Sequence, residues 1–384
     1  MKWLLVLAAV LLVVGTACAG HPGAAARPAP PAPAAAGQVY VQAATEPRLW
    51  VVDAATGQIA RTLPAGTPAP GWRWLYRLSG GALDAVDPLT GAVAASHPVP
   101  AWAREVRTSA GGRWLVLSAG VPDGRFEVRD AAWAAAPVDV SLAGSFTFDG
   151  ISDDGSRLYL LERLAGDRYR VRMYDLAAGA LAPYVIVDKT DVAQVMSGTA
   201  LAGFTTASGM MQLTLYQRDA GGRAFVHALP IGQAMQWAFC ADLPGPPDGW
   251  GFVPAPDGRR FYAVNPAAGL VVELDGQYVG PPGMRPGHVA AAPAGSPALA
   301  VSPDGATVYV GTASGLVAVD ATTLAVRATG LAGHRVTALA AAPDGRSVYA
   351  VSGGSRLLRL DPRTLAVAGT VALPGAPGAI LRAT

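Results

Sequence analysis

AVSPDGATVYVGTASGLVAVDATTLAV, residues 300–326, decides the fold. It reads as a strand, a Pro-Asp-Gly turn, two alternating strands, an Asp-led turn and a further strand. Forty residues on the chain repeats itself as AAAPDGRSVYAVSGGSRLLRLDPRTLAV, residues 340–367. Asp304 corresponds to Asp344, Tyr309 to Tyr349, Asp320 to Asp361 and Leu324 to Leu365. A unit of this size cannot bury its apolar face alone, so it must stack on copies of itself.

The turn-leading residue after the third strand of each unit serves as a ruler for the earlier, more worn copies. It occurs as Asp53, Asp87, Asp130, Asp175, Gln217, Asp275, Asp320 and Asp361, at spacings of 34, 43, 45, 42, 58, 45 and 41. An aspartate at this point accepts hydrogen bonds from the backbone two residues on, so its use is structural. A second ruler agrees: Gly112, Gly155, Gly258, Gly305 and Gly345 close a turn, and four residues later stand Val116, Tyr159, Tyr262, Tyr309 and Tyr349. The 46 glycines and 32 prolines punctuate the whole chain, which favours many short strands over helices.

Four short strands repeated at this period predict an all-β fold, a single β-propeller of four-stranded blades over residues 38–384. Eight rulers suggest eight blades. The short spacing before Asp87 leaves seven as the alternative. The body opens at Val39-Tyr40-Val41, a second strand, and ends at residues 378–382, a first strand. A blade completed from both termini would close the ring and leave no open edge.

Tyr309-Val310-Gly311-Thr312 after Pro303-Asp304-Gly305, followed by Val317-Ala318-Val319-Asp320, resembles the YVTN class of bacterial propeller repeats. Gly333-His334 ahead of Ala342-Pro343-Asp344-Gly345 is similar to the Gly-His of WD40 repeats, although no Trp-Asp closes a unit. The resemblance is sharp from residue 254 onward and implies the fold, not the task. It also implies an enzymatic alternative, because lactonase-type hydrolases and propeller subunits of quinoprotein dehydrogenases look like this. Such enzymes need charged groups converging on the central channel. Residues 298–301 and 338–341, on innermost strands, are Ala-, Val- and Leu-rich, which weighs against them.

Residues 1–17 read as an export signal, with Lys2 ahead of an apolar core over residues 3–14, too short to span a bilayer. Gly15-Thr16-Ala17-Cys18 resembles a bacterial lipobox, which makes Cys18 the lipid anchor. Ordinary cleavage at Ala17-Cys18-Ala19 is the other reading. Residues 18–37 form an Ala/Pro-rich tether, with a reach of roughly 50–60 Å at about 3.1 Å per residue. The formal charge is only +2, with no basic block, so nucleic acid is not an expected partner.

The longest spacing, Gln217 to Asp275, contains an aromatic and proline-rich excursion. Long excursions from a rigid scaffold often carry function, so Trp237, Cys240, Asp242 and Trp250 form the candidate binding loop over one face of the ring. An inert connection is the competing reading. No metal-ligating or nucleophile motif occurs, and neither a cofactor nor a metal site nor a catalytic residue is expected.

Together these features describe a binding or scaffolding module of the bacterial envelope. It is anchored by lipid on the extracytoplasmic side, with a protein or small ligand as partner on one face. A secreted or soluble periplasmic location is the alternative to the anchor. A propeller enzyme and a structural surface component are the alternatives in function.

Overall fold

The computed structural model describes residues 37–189, 194–218, 222–277, 283–289 and 297–384. The expected signal, most of the tether and Cys18 lie outside the described residues. The fold is an all-β propeller of four-stranded blades joined by antiparallel hairpins. In the repeat that opened the sequence reading, Ala298–Val301, Thr307–Gly311, Leu316–Asp320 and Val326–Gly330 pair in chain order. Val336–Ala341, Val348–Ser352, Arg356–Leu360 and Val367–Ala372 do the same.

The described residues form seven sheets, and six of these stand as discrete blades. Eight separate blades, or the alternative seven, are therefore not what forms. The cause is the strand Val138–Ile151, fourteen residues long. Its first part pairs with Asp123–Asp130 and its second with Arg157–Arg163, so the region is one continuous eight-stranded sheet. Hydrogen bonding along one unbroken strand replaces the turn that would have separated two sheets. At the termini, Gln38–Ala43 pairs with Pro377–Ala383 inside one four-stranded sheet.

The ruler aspartates do what their local chemistry demands. Asp53 accepts from the N–H groups of Ala55 and Thr56, at 2.9 and 2.8 Å. Asp175 accepts from Ala177 and Ala178, Asp320 from Thr322 and Thr323, and Asp361 from Arg363 and Thr364. The tyrosines of the second ruler are buried between sheets, and two of their hydroxyls cross to the neighbouring one. Tyr309 donates to the Pro362 carbonyl at 3.2 Å, and Tyr159 to that of Gln233 at 3.1 Å. One residue type thus supplies apolar area and satisfies its own polar tip.

The apolar core lies between sheets. Tyr159, Tyr169 and Val171 pack against Tyr216, Phe225 and Ala238, and Val264 and Val271 against Val308 and Val317. Innermost strands of successive sheets lie side by side: Thr199–Thr205 beside Gly251–Pro254, then Ala298–Val301, Val336–Ala341 and Pro377–Ala383. No helix among the described residues is long and apolar enough to cross a membrane.

Candidate functional site

The site begins at an irregularity in the long strand. Phe148 lies opposite Leu160 but Gly150 lies opposite Tyr159, so the register slips by one and Asp149 is the extra residue. A β-bulge of this kind re-aims a side chain, and bulges gather near sites. Leu201 is the extra residue of the innermost strand Thr199–Thr205, by the same count. Both line one chamber of about 660 Å³, walled by Glu105–Thr108 on one side, residues 146–151 in the middle and residues 200–205 on the other. A second hollow of about 490 Å³ adjoins it, sharing Thr67, Glu105 and Arg107.

Two of the three charge pairs around the chamber are self-satisfied. Arg107 meets Glu105 at 3.2 Å, and Arg125 meets Asp123 at 2.7 Å. The third is not. Asp149 faces Arg163, yet no ion pair or hydrogen bond joins them, and Oδ2 of Asp149 is buried without a hydrogen-bond partner. The Arg163 guanidinium lies 5.8 Å above the Tyr169 ring. Thr147 Oγ1 and the hydroxyls of Tyr169 and Tyr216 are buried and unpartnered as well.

Burial pushes the Asp149 carboxyl up to about 7, with the Arg163 charge only partly opposing it. The Tyr169 and Tyr216 hydroxyls are raised by the same loss of water. Their rings stack at 5.2 Å, and Tyr216 stacks on Phe225 at 5.1 Å. A buried polar group left without a partner costs about 1–3 kcal/mol. A cluster of such groups beside a cavity marks a place for a bound molecule or ordered water.

The sequence-predicted residues lie elsewhere. Trp237, Cys240 and Asp242 sit on the strand Trp237–Asp242, the outer partner of Phe225–Pro230, so they belong to a strand and not to a loop. Trp237 packs edge-on against Phe239, and the Lys189 ammonium lies 4.6 Å from its ring. Cys240 lies opposite the buried His227, and its thiol is pushed up by burial and by Asp188. Asp242 accepts from Arg218 at 3.1 Å. Trp250 is 1% exposed, and its Nε1 donates to the Pro246 carbonyl at 2.8 Å. Trp250 is core, so the four residues do not form one exposed surface.

The excursion was misplaced because Gln217 ends a second strand, Met211–Gln217, where every other ruler closes a third. The third strand of that sheet is Phe225–Pro230. The extra chain therefore precedes the sheet. Val187–Asp188 runs parallel to Trp237–Asp242, and Met196–Ser197 pairs back to Arg168–Asp175. The signal that could have found the chamber is Phe146-Thr147-Phe148-Asp149-Gly150: a carboxylate beside glycine inside an apolar strand, the mark of a bulge.

No protein-family model and no curated protein matches the sequence. Among solved structures, AztD of Citrobacter koseri superposes with a TM-score of 0.60 at 11% identity, over 89% of this chain and 96% of that one. The apo form of the same protein gives 0.56 at 12% identity with the same coverage. The dihydro-heme d1 dehydrogenase NirN, in complex with DHE, gives 0.56 at 17% identity, over 89% of this chain and 74% of that one. At these identities the likeness shows the propeller fold alone.

Proposed function

We propose that this protein is an exported binding module of the bacterial envelope. In this reading it is tethered through lipid on Cys18 and binds its ligand in the chamber beside the innermost strands. The observation that carries the binding role is the chamber itself. Charged and hydroxyl side chains converge on it from several strands, and Asp149 stands in its wall with a buried oxygen unsatisfied. The YVTN-like repeats, the leader and the Pro-rich tether support the location. The earlier objection that innermost strands are apolar applies to Ala298–Val301 and not to this arc, where Glu105, Arg107 and Asp149 line the space.

A second reading follows from the same carboxyl. A group raised to about 7 inside a cleft suits general acid–base work, so a hydrolase is the runner-up.

Two preparations test the proposal. Wild type should partition with membranes and Cys18→Ser with the soluble fraction; identical soluble behaviour removes the anchor. Ala200→Trp, on an exposed chamber-lining residue, should abolish retention of the small molecules that copurify with wild type, read by mass spectrometry. Unchanged retention means that the chamber is not the binding site.

A further inference from the structure

The charge arrangement of the chamber specifies more than a polar ligand. Resting on the binding reading above, we infer that the chamber takes a small zwitterion with an apolar side group, an uncapped amino acid or short peptide. Its ammonium would lie on Asp149 and its carboxylate on Arg163.

Three observations lead there. First, the two local ion pairs cancel, so Asp149 and Arg163 are the charges left to be complemented. A lone cation in the chamber would be repelled by Arg163, and a lone anion by ionised Asp149. A molecule carrying both charges meets neither penalty, and each end gains a charge-assisted hydrogen bond. Second, the bulge places Asp149 at the chamber wall beside the stacked Tyr169 and Tyr216 rings, with its Oδ2 left without a hydrogen-bond partner. Third, the chamber offers apolar surface on both of its flanks. Leu201 is 41% exposed and Val121 64% exposed, both lining the chamber. Those side chains are in water now and would be covered by an apolar side group. The volume of about 660 Å³ is ample for two or three residues of peptide.

The groups facing Asp149 are Arg163 on the adjoining strand Arg157–Arg163, Tyr169 on the next, and Tyr216 from the neighbouring sheet. Only Asp149 changes charge near neutrality. An arriving ammonium favours its ionised form, so binding releases a proton at and below about pH 7, and affinity rises with pH up to that point. A plain anion would show the opposite slope.

Isothermal titration of the purified protein with dileucine tests this, with N-acetyl-dileucine amide as the capped control. Dileucine is expected to bind, the capped form to bind at least tenfold more weakly, and affinity to climb between about pH 5 and about pH 7. Asp149→Asn should weaken binding about tenfold or more and flatten the pH profile. Arg163→Gln should weaken it similarly and leave the slope in place; circular dichroism confirms that both fold. Equal binding of the capped form, or affinity that falls with pH, overturns the zwitterion. If copurifying molecules depend on an unblocked chamber but dileucine does not bind, the ligand class is wrong and the binding module stands. If Ala200→Trp changes nothing and dileucine does not bind, both readings fail.

Discussion

Asp149 and His227 are polar groups whose charged forms the fold disfavours, and they answer pH in opposite senses. Asp149 rises from 3.8 to about 7 on folding. Between those values the native state holds the extra proton, so stability falls as pH rises and the deficit is complete above about 7. His227 drops from 6.5 to about 4, because burial opposes its imidazolium more than Asp188 favours it. There the unfolded state binds the extra proton, so stability grows as pH rises from about 4 and is fully present above 6.5. The windows overlap and the two slopes nearly cancel. Urea unfolding of wild type is therefore expected to vary little from about pH 4.5 to about pH 6.5. Asp149→Asn should gain about 1–3 kcal/mol across that range and His227→Gln should lose a similar amount. Parallel profiles for all three proteins would show that neither group is buried as described. The ruler aspartates are a milder case. Asp320 holds two backbone N–H groups, but in an exposed turn where water can replace it. Asp320→Ala should cost only about 0.5–1.5 kcal/mol in the same assay, and a loss several times larger would mean the turn also sets strand register.

Among elements, the strand Trp237–Asp242 shows how a reading by period goes astray. In sequence its residues fall in a candidate binding loop, yet Ala238 and Ala241 are buried and Leu243 and Trp250 belong to neighbouring cores. Deleting residues 235–248 strips one sheet of its outer strand, uncovers His227 and removes the wall against which Trp250 packs. The expected outcome is loss of the fold in that sheet, seen as rapid proteolysis within residues 199–230. A protease-resistant deletion variant would restore the loop. Pattern found most elements because short apolar runs such as Thr307–Gly311, buried along four of its five residues, are bounded by Pro-Asp-Gly and Asp-led turns at fixed offsets. It failed in three places for physical reasons. Gln217 mimics a ruler because it too is a polar residue closing an apolar strand, Met211–Gln217. The strand Val138–Ile151 carries no turn where the period demanded one. Asp149 sits at a bulge, which changes the face a side chain takes, and strand pairing alone reveals a bulge. The fold was thus legible through local rules. The chamber was not, since its walls are contributed by residues from Thr67 to Tyr216 that no local window contains.

At the scale of the molecule, the first and last strands share a sheet. The Gly37 N–H donates to the Thr384 carbonyl at 2.7 Å, and Gln38 and Thr384 are joined by further hydrogen bonds. Gln38–Ala43 is almost wholly buried, held by Pro377–Ala383 on one side and Arg48–Asp53 on the other. Removing residues 377–384 exposes its row of backbone donors and acceptors along with Val39 and Val41. An uncovered edge of that kind pairs with whatever strand it meets. The truncated protein is expected to lose about 1–3 kcal/mol for each backbone group left buried and unpaired, and to self-associate with concentration on size exclusion. A permuted chain separates the strand from its covalent position. Joining residue 384 to residue 37 through a short Gly-Ser linker, and opening the exposed turn at Gly353-Gly354, keeps every strand pair while moving the ends. If strand pairing at the termini is what holds the sheet, the permutant should remain monomeric, with its unfolding free energy within about 1 kcal/mol of the parent's. A truncation as stable and monomeric as the parent would show that the terminal strand only decorates the sheet. A permutant that fails where the parent folds would show that the order in which the sheets form, and not the pairing alone, depends on where the chain begins.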